Sequence, residues 1–194
     1  TKVWTPNKWH GKKQVENSKK YWGIKKFELL QVHNLVNYKK HLESLSELKK
    51  EGFLKYIGVT TSHCSRHKKL EYIMNNYDLD FVQLTYNILD TEAANYLLPL
   101  AKENNIAVIA NRPFQGGNLF NYITKKKLPS FATDIGIESW AEYFLKYIIS
   151  HETITCAIPA TSKINHMKQN MKALFGYIPT YRERKKLRQL FLNI

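Results

Sequence analysis

Short apolar blocks alternate with amphipathic stretches along the whole chain. Phe27-Glu-Leu-Leu-Gln-Val-His33, Leu54-Lys-Tyr-Ile-Gly-Val-Thr60, Asp80–Tyr86, Ile106–Ala110 and Thr153–Ile158 are brief and apolar, and each reads as a strand. Thr1–Val3 reads as a strand stub. Between the strands, apolar residues recur at helical spacing. Leu42, Leu45 and Leu48 mark a helix over 41–50 that Gly52 stops, and Leu70, Ile73 and Met74 mark one over 65–75. Leu97, Leu100 and Ala101 share a face over 92–104, as do Trp140, Phe144, Leu145 and Ile148 over 137–150. Helices over 165–174 and 179–192 complete the pattern. A loop with Gly116-Gly117 and Pro129 runs to about Gly136.

Such alternation implies right-handed βαβ crossovers and a parallel sheet. Short apolar runs are what strands covered on both faces look like. Two α/β architectures satisfy this, an open doubly wound sheet and a closed (β/α)8 barrel. A dinucleotide-binding doubly wound sheet needs a Gly-rich turn after its first strand. No strand here is followed by one, and Gly116-Gly117 comes late with the wrong spacing. The regular βα repeat favours the barrel, of which six strands are visible, counting the stub. Barrel chemistry lies at the C-terminal ends of the strands. Those ends carry Lys2, His33, Thr60-Thr61, Gln83, Asn111-Arg112 and Thr161-Ser162-Lys163. A barrel brings them to one rim, with Lys2 and His33 on adjacent strands. Each taken alone has an ordinary structural role open to it, and periodicity does not name the reaction the set serves.

The 194 residues are 43% hydrophobic, 24% charged and 13% aromatic, enough for one domain with a real core and unlike a disordered chain. No apolar run approaches the roughly 20 residues of a membrane-spanning helix. The two cysteines, Cys64 and Cys156, make neither a disulfide framework nor a metal-ligand spacing, so a reducing compartment and no metal are expected. The chain begins at Thr1, in what already reads as a strand, and is expected to be the downstream piece of a longer polypeptide. Its net charge of +14 suits nucleic acid or an anionic surface. The lysines, however, are spread over most of the helices, densest over 12–26, 125–127 and 182–188, so solvated faces are expected and no specific nucleic acid. Trp4, Trp9 and Trp22 read either as substrate-loop aromatics or as packing. His10, His41, His63, His67 and His151 fall in loops or helices and read as structural.

Several motifs follow one another in order: Thr1-Lys2-Val3-Trp4, Leu29-Leu30-Gln31-Val32-His33-Asn34, Leu45–Gly52 running into Tyr56-Ile57-Gly58-Val59-Thr60, Phe81-Val82-Gln83-Leu84-Thr85-Tyr86-Asn87, Val108-Ile109-Ala110-Asn111-Arg112-Pro113-Phe114, and Ile158-Pro159-Ala160-Thr161-Ser162 with Asn170. In this order and spacing the chain resembles the aldo-keto reductases over essentially its whole length. The resemblance implies a (β/α)8 barrel, incomplete here: strands three to eight with their helices, residues 1–194 forming a single partial barrel domain, the first two βα units absent. It implies reduction of an aldehyde or ketone, a small-molecule carbonyl substrate, by a nicotinamide cofactor, NADP with NAD as the alternative. Lys2 and His33 correspond to the family's catalytic lysine and histidine, while the catalytic Asp and Tyr lie upstream in the family and are absent here.

The same resemblance implies that Thr60, Thr61 and Gln83 meet the cofactor carboxamide, and that Asn111, with Arg112 beside it, stands where many members stack an aromatic on the nicotinamide. Thr161, Ser162 and Lys163 precede a helix start suited to phosphate. Ala160 and His166 stand where NADPH-preferring members have Lys and Arg, with Lys163 and His166 as substitutes. Gln169 and Asn170 meet the adenine. A cytoplasmic protein is expected, without membrane attachment, with open barrel edges as a route to oligomers. Two other classes stay open: a non-catalytic cofactor-binding or scaffold member of the family, and a basic nucleic-acid-binding module.

Overall fold

The computed structural model describes residues Thr1–Ile194. The elements run β1 (Lys2–Val3), α1 (Lys8–Trp22), β2 (Phe27–His33), α2 (Tyr38–Lys50), β3 (Leu54–Thr60), α3 (His67–Asn76), β4 (Phe81–Thr85), α4 (Ala93–Glu103), β5 (Ala107–Asn111), α5 (Leu119–Tyr122), α6 (Ser130–Asp134), α7 (Trp140–Ile149), β6 (Ile154–Ala157), α8 (Ile164–Lys172) and α9 (Tyr181–Leu192). The strands form a six-stranded sheet whose order follows the chain, β1 to β6. A doubly wound sheet reverses its strand order at a switch point. The order here never reverses, so that alternative is excluded.

The chain divides into two compact units, Thr1–Leu84 with Pro99–Val108, and Thr85–Leu98 with Ile109–Ile194. In the first, β1, β2, β3 and β4 pair in parallel. Leu30, Val32, Ile57, Val59 and Val82 on these strands are at most 2% exposed, which is why the runs lack polar alternation. Gly58 lies where β4 comes close: a Cβ there would run into the Phe81 carbonyl. Asp80, just before β4, staples α2 to β3. Its carboxylate accepts the Ile57 N–H at 2.8 Å and Lys49 Nζ at 2.6 and 2.8 Å.

Helix α1 is the element that apolar periodicity misses. Its sequence KWHGKKQVENSKKYW buries only Gly11 and Val15, so no stripe marks it. What defines it is its ends: the Asn7 side chain accepts the Trp9 and His10 N–H groups, and Gly23 closes it at φ 63°. Gly11 is required because a Cβ would meet the His41 imidazole at 2.6 Å.

In the second unit, the stretch read as a loop after β5 holds a 3-10 turn at Gln115–Gly117 and the short helices α5 and α6. Helix α7 starts at Ser139, whose Oγ accepts the Glu142 N–H, and is buried from Ala141 through Ile148. Phe144 sits among Phe114, Phe120, Trp140 and Phe191, with ring centroids 5.3 to 6.3 Å away. Lys146, 2% exposed, donates to the Phe175 and Tyr177 carbonyls at 2.7 Å. Burial pushes its ammonium below the ordinary lysine value. Helix α9 opens with a capping box of Thr180 and Glu183. No helix is long and apolar enough to cross a membrane.

Candidate functional site

In the first unit, strand register sets three of the expected residues in a row. His33 on β2 is the Cα partner of Thr60 on β3, and Thr60 is the partner of Gln83 on β4. Parallel strands put all three side by side at corresponding levels. Gln83 is not at a strand end as the spacing suggested: β4 continues to Thr85, and Gln83 is 7% exposed within it. Thr60 and Thr61 are buried, and the Thr61 N–H donates to the Gln83 carbonyl at 2.9 Å, extending the ladder past β3. Lys2 opens β1 and pairs with Gln31, two residues before His33.

Trp4 completes this group. Its N–H donates to Gln14 Oε1 at 2.9 Å and its carbonyl accepts Gln14 Nε2 at 3.1 Å, so α1 holds its backbone. The indole then lies 5.1 Å from the His33 ring, tilted by 37°. Partial burial, then the nearby Lys2 and Arg66 charges, lower the His33 pKa from its ordinary value. His33 is therefore held as neutral imidazole, able to donate one N–H. Two other histidines do structural work. His41 is 2% exposed with Nε2 2.7 Å from the Thr5 carbonyl, and His151 sets its ring against Tyr86. Trp9 and Trp22 are more than 60% exposed.

In the second unit, Asn111 ends β5 and is buried. The Thr85 hydroxyl donates to its Oδ1 at 2.7 Å, which fixes which way the amide faces. Arg112 follows with φ 49° and is exposed. Beyond it lies a cavity of about 830 Å³. Its walls are the Arg112–Gly117 loop, α5, the start of α7, the residues after β6, and α8. Of the expected cofactor residues, Arg112, Thr161, His166, Gln169 and Asn170 line it. Ser162 and Lys163 are exposed beside it at the α8 entrance, and Asn111 is not on its wall. Lys163 is the N-cap of α8, its side chain makes no capping bond, and its N–H donates to Thr161 Oγ1 at 3.1 Å. The apolar wall of Phe114, Phe120, Ile158 and Trp140 was not foreseen, since the 3.6-residue spacing that marks Trp140 as inward does not separate core from cavity lining.

Two properties define what this cavity can hold. No carboxylate lines it, while the Arg112 guanidinium does, so it suits an anion. Asn170 is 6% exposed and its Nδ2 makes no hydrogen bond within the protein. A buried donor left unpaired costs roughly 1–3 kcal/mol, and a ligand acceptor would remove that cost.

A sequence model of the Aldo/keto reductase family matches residues 7–181. The chain belongs to that family. It is 25% identical over 178 residues to an uncharacterised oxidoreductase of Schizosaccharomyces pombe, a match covering 87% of this chain and 56% of that protein. The chain thus spans little more than half the length of that relative. Among solved structures, the holo form of an aldo-keto reductase from Bacillus halodurans superposes with a TM-score of 0.76 at 22% identity, covering 98% of this chain and 70% of that one. An aldo/keto reductase from Klebsiella pneumoniae, solved with NADP and acetate, gives a TM-score of 0.75 at 21% identity, over 98% of this chain and 68% of that one. At these identities the superpositions speak for the fold alone.

Proposed function

We propose that this aldo/keto reductase chain serves the reduction of an aldehyde or ketone by NADPH, with NADH as a weaker alternative, and that its sheet is strands three to eight of a (β/α)8 barrel. The observation that carries the reading is the carboxylate-free cavity with the unpaired Asn170 amide on its wall. An adenine ring offers the acceptors that amide lacks, and the apolar wall of Phe114 and Trp140 offers it a face to pack on. The start of α8 suits a phosphate, because first-turn N–H groups have no intrahelical acceptor and the dipole favours negative charge there. Lys163 caps that start and supplies positive charge for a 2′-phosphate, and the His166 ring on the first turn offers an N–H beside it. That NADP is bound in the Klebsiella reductase agrees with this choice.

A nicotinamide cofactor, when bound, would supply hydride to a carbonyl carbon. Thr60, Thr61 and Gln83 of the first unit would serve a carboxamide, whose donor and acceptor match theirs. His33, neutral and donating, orients the carbonyl oxygen and stabilises the negative charge that develops on it. Lys2 is the ammonium that lowers the pKa of a tyrosine acid from near 10.

The test is a fluorescence titration. NADPH is expected to quench the emission of Trp140, and Asn170→Leu to weaken that binding. Absence of any response to millimolar NADPH or NADH sinks the reading.

A further inference from the structure

We infer that Asp90 is a positioning residue for the cavity of the second unit, setting through Gln115 the conformation of the Arg112–Gly117 loop that forms one wall. The inference rests on the reading of that cavity as a dinucleotide site.

The loop has an unusual backbone. Arg112 and Gln115 have φ of 49° and 51°, and Gly116 and Gly117 have φ of 70° and 101°. Glycines adopt the left-handed region freely, but arginine and glutamine do not, so two residues here must be held from outside. Both are held by the same cluster. Asn87, fully buried, donates from Nδ2 to the Arg112 carbonyl at 3.1 Å and to Asp90 Oδ2 at 2.8 Å. The same Asp90 oxygen accepts Gln115 Nε2 at 2.9 Å. The Asn87 carbonyl oxygen is occupied as well, accepting the Leu89 and Asp90 N–H groups at 3.0 and 2.9 Å. Asn87 therefore has its full complement of bonds and its amide cannot turn.

The remainder of the loop follows from these two anchors. Arg112, Pro113, Phe114, Gly116 and Gly117 line the cavity, while Gln115 does not, because its side chain is spent on Asp90. A charge-assisted bond to a carboxylate is stronger than one between neutral groups. The Gln115 bond thus holds a strained residue in the conformation that turns its neighbours toward the ligand.

The test changes the two partners of one hydrogen bond. Asp90→Ala is expected to weaken NADPH binding, read by tryptophan quenching, by roughly two- to thirtyfold. Gln115→Glu, which sets two carboxylates against each other, is expected to weaken it too. Asp90→Asn keeps an uncharged oxygen able to accept both Asn87 and Gln115, and it should restore most of the affinity lost in Asp90→Ala. Hydrogen exchange of the 112–117 amides is measured on the same proteins without ligand: fastest in Asp90→Ala and Gln115→Glu, slower in Asp90→Asn. An Asp90→Asn protein no better than Asp90→Ala in either readout overturns the positioning role, as does unchanged exchange in Asp90→Ala and Gln115→Glu. If Asp90→Ala does not fold, Gln115→Ala removes the bond from the loop side and must speed the same exchange. Should the wild type ignore NADPH, the dinucleotide reading fails, and the exchange data alone decide whether Asp90 holds the loop.

Discussion

The indole of Trp4 lies 5.1 Å from the imidazole of His33, and the Trp4 backbone is clamped to α1 by both polar atoms of the Gln14 amide. The first helix, polar nearly all round, thereby places an aromatic ring against the histidine that ends β2.

This setting predicts how His33 titrates. Its partial burial and the charges of Lys2 and Arg66 disfavour the imidazolium, so the folded pKa lies below the ordinary 6.5. The contribution to stability is intact above pH 6.5 and is lost as pH falls through the lowered folded pKa. A proton NMR titration should give a midpoint below 6.5, and Lys2→Met should move it upward. A midpoint at or above 6.5 in the wild type contradicts the desolvation account.

If His33 donates to the carbonyl oxygen, His33→Ala removes one oriented donor. Activity of the reductase is then expected to fall by roughly ten- to a thousandfold in kcat/KM, with NADPH affinity nearly unchanged. Undiminished turnover would take His33 out of the chemistry.

Lys163 is the N-cap of α8, and Ala160 stands where the resemblance sets the lysine of many NADPH-preferring members. Lys163→Ala should weaken NADPH more than NADH, because only the former carries the 2′-phosphate. Equal losses in parallel titrations would show that Lys163 does not reach it.

How far such sites can be read ahead of the structure depends on what fixes each residue. Strands β2 and β3 were legible to the residue, because Phe27–His33 and Leu54–Thr60 are apolar runs ended by polar residues. Helix α1 was not, since its existence rests on the Asn7 and Gly23 caps instead of an apolar stripe. The His33, Thr60, Gln83 row depends on register between strands, which no spacing along one strand encodes. Phe114 and Trp140 look in the sequence like any inward aromatic, and only three-dimensional placement makes them a cavity wall. The Asn87 and Asp90 cluster was likewise hidden, because its partners Arg112 and Gln115 lie on another loop.

Asp80 offers a test of what holds the first unit together. Its carboxylate takes the Ile57 N–H at 2.8 Å and Lys49 Nζ at 2.6 Å, while its own N–H donates to the Ile57 carbonyl at 3.0 Å and its carbonyl accepts the Ala107 N–H at 2.9 Å. The main-chain bonds survive any substitution, so only the carboxylate's contribution is at stake. Two effects compete for it. The ion pair is about a quarter to a third exposed, with 34% for Lys49 and 24% for Asp80, and such pairs contribute at most about 1 kcal/mol. The bond to Ile57 reaches a backbone amide of a buried residue, 2% exposed, and stranding that donor costs about 1–3 kcal/mol. The backbone bond should therefore dominate. Asp80→Ala is expected to be the most destabilising change, Asp80→Asn smaller because an acceptor for Ile57 remains, and Lys49→Met smallest. With a melting shift of roughly 2–4 °C per kcal/mol for a chain of this size, calorimetry resolves the order. Equal losses for Lys49→Met and Asp80→Ala would assign the stability to the ion pair and reverse the argument.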